Sequence, residues 1–407
     1  MNILTIHNFY IHPGGEDFCV SIEASILINR GNQVKKFKAS NAEMIEQGKI
    51  ALLKALYRTS FNHRIFEEIS KFCREKKPDI ANIHNSWFAL SPAIHAACHA
   101  EGVPTVQTLH NFRLLCVNAL LMRNGEPCED CVGKSPWLGV LRRCYHGSAL
   151  HSAFVARMIQ YNRKRGTWDN DVDVFIALTE CCRQKFIEGG LPAGGLPANK
   201  IMVKPNFVED PVPVTPPGKG AVFVGRLSPE KGVRTLLSAW QEIPGSPLNI
   251  IGEGPLRAEL EGFAGSKKIK NVRFFGQRES EECYQAIRQA AFLILPSVCY
   301  ENFPRAIVES FACGRPVVAS RLGSMAELVE HGRTGLLFEP GNAEDLAEKV
   351  RLLLKNPDAC REMGLAARRE YEEKYTPERN YEMLMEIYET AIRNFKDRKQ
   401  QGRSLSP

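Results

Sequence analysis

LPSVCYENFPRAIVESFACGRPVVASRLG, residues 295–323, reads as the end of a strand, a loop, a helix and the next strand. The run that leads into it, AAFLILP (290–296), is apolar and stops at a proline, as a buried parallel strand does. From Phe303 to Ala312 the period is helical. Phe303, Ala306, Ile307 and Phe311 share one face, and Asn302, Arg305 and Glu309 share another. Asn302 is placed to cap that helix, and Pro304 fits its first turn. VVAS (317–320) is the next strand. Two carboxylates result, Glu301 in the loop and Glu309 in the helix, with seven residues between them. In open α/β sheets, ligands bind at the carboxyl ends of the strands. Alone, such a pair would read as a loop charge and a solvated helix face. The flanking sequence decides between the two.

The same alternation runs outward in both directions. Strands are expected at 221–227, 248–254, 271–276 and 335–340, with helices between them. Before them, PVPVTPPGKG (211–220) has the composition of a linker. The first half repeats the pattern, with strands at 3–8, 34–39, 79–85, 104–111, 173–179 and 201–208. The spacing predicts an α/β protein of two doubly wound, Rossmann-like domains facing each other across a cleft. The expected bounds are 1–210, 211–376 and a last helical segment, 377–407, that ends in a disordered tail, QGRSLSP.

Length and composition agree with this. A chain of 407 residues suits two domains, and 44% hydrophobic with 24% charged residues suits a soluble globular protein. The net charge of +7 fits an anionic ligand or surface. It is too mild to imply nucleic acid, and no basic stripe carries the interleaved aromatics that such binding uses. Thirteen cysteines, an odd number spread from Cys19 to Cys360, fit a reducing cytosol better than a disulfide framework. The start, MNILTIHN, reads as a strand rather than a signal peptide, and no apolar run approaches membrane-spanning length.

Three turns of the second domain carry the chemistry. GRLSPEKG (225–232) follows a strand and opens a helix, with Arg226 and Lys231 on either side of the turn. Two cations beside a helix N-terminus make a phosphate or diphosphate site, although a surface turn capped by Ser228 would use the same residues. IGEGP (251–255), which contains Glu253, is a second glycine-rich turn that lets backbone approach a ligand. The loop at Glu301 is the third. All three stand at carboxyl ends of expected strands, so they converge on one crevice. In the first domain, PGGE (13–16) places Gly14 and Gly15 after the first strand, and His110 ends the strand at 104–111. Each alone is also what an ordinary turn or a packed loop histidine would use.

Taken together, GRLSPEKG, IGEGPLRAEL, PSVCYENFPRAIVESFACGRPVVAS and LGSMAELVEHGRTGLLFEPGN (322–342) resemble the second domain of the retaining GT-B glycosyltransferases of family 4, the glycosyl transferases group 1. PGGE and His110 match more loosely. The resemblance implies transfer of a sugar from a nucleoside-diphosphate donor, of UDP or GDP type, with its anomeric configuration kept. It implies Glu301 and His110 at the reacting sugar. It implies Arg226, Lys231, Glu309, Gly14, Gly15, Glu253, Asn302 and Phe303 at the donor, with Glu309 on the ribose. The acceptor would be a glycan or a lipid-linked sugar, and no cofactor is required for the chemistry. The last helix would cross back to the first domain. One departure is Pro304, which has no N–H where relatives offer free backbone donors. Rival readings are another GT-B enzyme, of epimerase or phosphorylase type, and a nucleotide-sugar-binding protein without catalysis.

Two further expectations come from the residues themselves. The basic segments 42–76 and 132–168, the second free of acidic residues, suit weak docking to an anionic membrane surface and a peripheral place on the inner membrane face. Cys116, Cys128, Cys131 and Cys144 fall within one excursion, 112–150, and Cys128 and Cys131 have the spacing of a metal knuckle. Four thiolates would hold a structural zinc. Reduced thiols in an ordered loop, or a redox disulfide between Cys128 and Cys131, are the alternatives.

Overall fold

The structure, a computed structural model, describes residues 1–10, 14–41, 56–189, 196–210 and 215–400. The tail and residues 211–214 of the linker lie outside the described residues, as do 42–55 of the first basic segment. The chain divides into two compact units. One takes Met1–Leu121, Glu129–Pro205 and the chain from Tyr381 on. The other takes Met122–Cys128 and Asn206–Asn380.

The strands in chain order are β1 (Asn2–Phe9), β2 (Gln33–Ser40), β3 (Ile80–Asn85), β4 (Thr105–Thr108), the hairpin strands β5 (Met122–Arg123) and β6 (Glu126–Pro127), then β7 (Val174–Ala177) and β8 (Ile201–Val203). The first unit holds a parallel sheet in the order β2-β1-β3-β4-β7-β8. Its central strands are buried on both faces, which is why ILTI and IANI are continuous rather than alternating apolar runs. β2 is an edge strand, and there the sequence does alternate: Phe37 and Ala39 pack inward between lysines. The last helix, Pro377–Gln400, joins this unit from Tyr381. It buries Leu384, Ile387, Tyr388, Ala391 and Phe395, the period expected of one helix face. Arg398 pairs with buried Asp173, and Asn394 Nδ2 donates to the Asp173 carbonyl at 3.3 Å.

The second unit continues with β9 (Ala221–Val224), β10 (Leu248–Ile251), β11 (Val272–Gly276), β12 (Phe292–Leu295), β13 (Val317–Ser320) and β14 (Gly335–Phe338). They form a parallel sheet in the order β11-β10-β9-β12-β13-β14. Side chains alternate between its two covered faces. Phe223, Ile294, Val318 and Phe338 enter one core; Val222, Leu293, Val317 and Leu337 enter the other. Each sheet is therefore doubly wound, and both units have the α/β architecture of GT-B proteins.

The helix after β12 starts later than its apolar period suggests. It spans Arg305–Ala312, with Pro304 at its N-cap in extended conformation (φ −75°, ψ 91°). A proline pushes the residue before it out of helical conformation, so Phe303 cannot begin the helix. Asn302 therefore does not cap it. Instead its carbonyl accepts a hydrogen bond from Ser324 Oγ at 3.1 Å.

Candidate active site

In the second sheet the strand order reverses between β9 and β12, which are neighbours although two strands, β10 and β11, come between them in sequence. A crevice opens at such a reversal, because the connections leave to opposite faces. The turn 225–232 follows β9, and the loop 296–304 follows β12, so both lie at that point. They are in backbone contact. Gly232 has φ +64°, and a Cβ on it would stand 1.9 Å from the Pro296 carbonyl oxygen. Val298 N–H donates to the Glu230 carbonyl at 2.9 Å. This seam brings Lys231 Nζ to 2.6 Å from Glu301 Oε1, and Ser297 Oγ donates to the same oxygen at 2.6 Å. Burial opposes the charge on Lys231, but the Glu301 carboxylate outweighs it and holds the ammonium above its ordinary range. Burial, with Glu301 behind it, likewise pushes the neighbouring Cys299 thiol far up, so it stays protonated.

Arg226 is exposed on the same turn, and its guanidinium has no partner among the described residues. Glu309 faces Arg305 one helical turn back, at 2.6 Å, and each side chain is 14% exposed. The turn after β10 is packed too closely for any side chain: Cβ atoms at Gly252 and Gly254 would meet the carbonyl oxygens of Gly225 and Leu227 at 1.9 and 2.3 Å. Glu253 contributes its carbonyl to Leu227 N–H at 2.9 Å, while its carboxylate pairs with Arg257 on the adjoining helix. Phe303 packs its ring edge-on to Tyr375, with centroids 6.2 Å apart. The structure thus joins Lys231 to Glu301 directly. Asn302 is tied to Ser324, Phe303 to Tyr375 and the Glu253 carboxylate to Arg257.

In the first unit the strand order reverses between β1 and β3. Gly14 and Gly15 follow β1 and start the helix Gly15–Asn29. Among the described residues, a Cβ on either would meet nothing within 4 Å. Glu16, in its first turn, accepts from Tyr10 Oη at 2.8 Å, and burial pushes its carboxyl up to about 8. His110 follows β4, with Nε2 3.0 Å from His84 Nδ1 at the end of β3. Burial holds His110 well below its ordinary value, so the imidazole is neutral. His84 was not among the residues that the sequence singles out. Its only sign is its place in IHN, at the carboxyl end of a strand beside Asn85.

The four-thiolate zinc cluster is not formed. Among the described residues, no three or more His, Cys, Asp or Glu side chains gather so as to hold one metal ion. The reason is local packing. Cys116 is buried, with Sγ 2.9 Å from Asn118 Oδ1, and Cys144 packs against a core of Trp87, Val117 and Val155. The residues as placed do not fit the metal. No disulfide joins any of the thirteen cysteines either.

Residues 214–370 match the family described as Glycosyl transferases group 1. Over 168 residues the chain is 32% identical to an uncharacterized glycosyltransferase of Methanocaldococcus jannaschii, covering 41% of this chain and 47% of that protein. Over 175 residues it is 31% identical to the sulfoquinovosyl transferase SQD2 of Arabidopsis thaliana, covering 42% and 33%. The chain thus spans less than half the length of these curated relatives. In fold it is similar to the crystal structure of the Anabaena protein HepE in complex with UDP-glucose, with TM-score 0.68 and 18% identity over 96% of this chain and 100% of that one.

Proposed function

We propose that this chain, which carries a glycosyl transferases group 1 domain over residues 214–370, is a retaining glycosyltransferase that moves a sugar from a UDP or GDP donor to an acceptor hydroxyl. The observation that carries the reading is the contact of Lys231 with Glu301, at the point where the second sheet reverses its strand order. Cleaving the anomeric bond puts negative charge on the leaving diphosphate and positive charge on the sugar ring. A preorganised cation and carboxylate meet those two needs from one place. Arg226 and Lys231 neutralise the diphosphate. Glu301 holds hydroxyls of the transferred sugar near the developing positive charge. Glu309 accepts from the ribose hydroxyls. His110 is assigned to the transferred sugar.

The acceptor is a glycan or lipid-linked sugar of polysaccharide, cell-envelope glycan or glycolipid synthesis. One face of the first unit supports work at an anionic membrane surface. On the helix Ala149–Arg165, Leu150, Arg157, Tyr161 and Lys164 fall at helical spacing. Leu150 is 59% and Tyr161 41% exposed, and Arg157 lies over the Tyr57 ring, 4.5 Å from its centroid. Among the described residues no helix is long and apolar enough to cross a membrane.

The reading is tested by incubating the protein with UDP- and GDP-sugars. One donor should raise the melting temperature, as a ligand of the folded state does, and release nucleoside diphosphate when acceptor is added. The anomeric configuration of the product, read by NMR, tests retention. Neither stabilisation nor release with any donor would remove the reading.

A further inference from the structure

Behind His110 lies a buried polar chain that the roles above do not use. Its members are Glu23 on the helix Gly15–Asn29, Asn82 and His84 on β3, and Lys204 just past β8, all under 10% exposed. His84 Nε2 stands 3.2 Å from Glu23 Oε1, and Asn82 Nδ2 donates to the same oxygen at 2.7 Å. Lys204 Nζ holds the other oxygen at 3.1 Å. His84 Nδ1 meets His110 Nε2 at 3.0 Å, with the two rings nearly parallel, 24° apart. A buried ion pair is a costly way to hold a fold together, since apolar residues of equal size commonly do as well. This one invites a reason.

We propose that Glu23 and His84 are positioning residues, which set the tautomer and aim of His110 so that its Nδ1 lone pair accepts a hydrogen bond from a sugar hydroxyl. The inference rests on the reading of His110 as a sugar contact.

The protons follow from charge and geometry. Lys204 already balances Glu23, so a second proton on His84 would leave uncompensated positive charge in the interior. His84 Nε2 faces the Glu23 carboxylate oxygen and carries a hydrogen, because two acceptors cannot face each other; Asn82 Nδ2, 3.2 Å from the same nitrogen, is directed to Glu23 Oε1 at 2.7 Å. The His84 Nδ1 lone pair then accepts from His110 Nε2–H. The remaining nitrogen of His110, Nδ1, is left unprotonated, and among the described residues it has no partner. Burial opposes the charge on Glu23, but Lys204, with the hydrogen bonds from His84 and Asn82, outweighs it and keeps the carboxylate ionised. The other titratable groups nearby do not compete. His7 is turned to Asp17 at 2.8 Å, and Tyr388 of the last helix keeps its phenol proton, through burial first and the Glu23 charge second. Nature uses the same logic wherever a carboxylate fixes one imidazole nitrogen to define the other.

The test begins with a measurement that needs no turnover. In full-length protein labelled with 15N-histidine, long-range 1H–15N spectra, assigned with His110→Asn, should show His110 protonated at Nε2 and bare at Nδ1. His84→Phe removes the acceptor and should change that tautomer; His84→Asn, whose amide oxygen can stand in for Nδ1, should keep it. A His110 protonated at Nδ1 in the natural protein, or a tautomer indifferent to His84→Phe, overturns the proposal whether or not the chain is a glycosyltransferase. With the donor found, His84→Phe should lower kcat about 100-fold while leaving UDP or GDP binding unchanged. It should add nothing to His110→Asn, as residues acting through one group do not add. Additive losses overturn the relay. Should His84→Phe not fold, Glu23→Gln with Lys204→Met removes both charges together, and an unchanged His110 tautomer there overturns the assigned role of Glu23.

Discussion

Lys231 Nζ and Glu301 Oε1 meet at 2.6 Å although 70 residues separate them in sequence. Two loops, each at the end of a strand on one side of the order reversal, hold them together. Lys231 is 23% and Glu301 12% exposed, so the pair is reachable yet poorly screened. On the proposed reading, a diphosphate at Lys231 would share its ammonium with Glu301 and gain Arg226 besides. Lys231→Ala and Arg226→Ala should each lower kcat by about 100-fold or more, with folding retained, since one lost donor to developing charge costs that much. Steady-state turnover with the preferred donor measures it. Near-normal rates in both variants would remove these residues from the leaving group.

Glu301→Gln and Glu309→Gln should fail differently. In the proposed roles, a ribose contact of Glu309 would be the same in ground and transition states, so its loss should raise the donor KM about 10-fold and spare kcat. Glu301 would face charge that develops only during the reaction, so its loss should lower kcat. Initial rates across donor concentration separate the two. The opposite pattern would exchange the assigned roles.

Glu16 makes stability depend on pH. Its carboxyl is raised from 4.5 to about 8, chiefly by burial, so the folded state favours the protonated form. That contribution is complete below 4.5 and is lost as pH rises through about 8. Glu16→Gln cannot ionise. Its melting temperature should match the natural protein at pH 4.5 and exceed it increasingly up to pH 8. A difference that is constant across this range would mean that Glu16 ionises freely in the fold.

Arg315 should be the arginine whose loss most damages the second unit. It is 1% exposed and donates to the carbonyls of Ala290 (3.0 Å), Thr215 (3.0 Å), Pro216 (2.9 Å) and Arg288 (2.7 Å). Arg315→Met keeps the stem but leaves these buried acceptors without a donor. The expected cost is about 3 kcal/mol or more, read by urea unfolding. A loss of less than about 1 kcal/mol would show that other donors replace it.

On the face proposed to meet a membrane, exchanging Arg157 and Lys164 for glutamate should abolish cosedimentation with vesicles containing anionic lipid at low salt. Each well-placed cation contributes about 1 kcal/mol. Equal sedimentation with neutral and anionic vesicles would count against docking.

The two parallel sheets are readable from the chain because their strands are short apolar runs punctuated by glycine and proline. The strand ends are less so. β9 stops at Val224, since the glycine-rich turn leaves the ladder to let two loops interlock. The helix Ala149–Arg165 is hidden by its basic composition, which draws the eye to charge rather than to the buried row Ser152, Val155, Ala156, Ile159. Of the site, Lys231 and Glu301 could be expected to converge, as both follow strands that lie side by side. Glu23 could not. On its helix it looks like any solvated glutamate, and only the pairing of β1 with β3 and the return of Lys204 surround it. The cysteines misled for the opposite reason, since spacing along the chain says nothing of the direction in which each thiol points.

The last helix has a consequence for how the protein is made. The first unit needs residues from Tyr381 onward, among them Tyr388, Phe395 and Arg398 against Asp173. A ribosome must therefore synthesise the whole second unit before the first can close. The emerging chain has to keep its first sheet in waiting, with the apolar site of this helix uncovered.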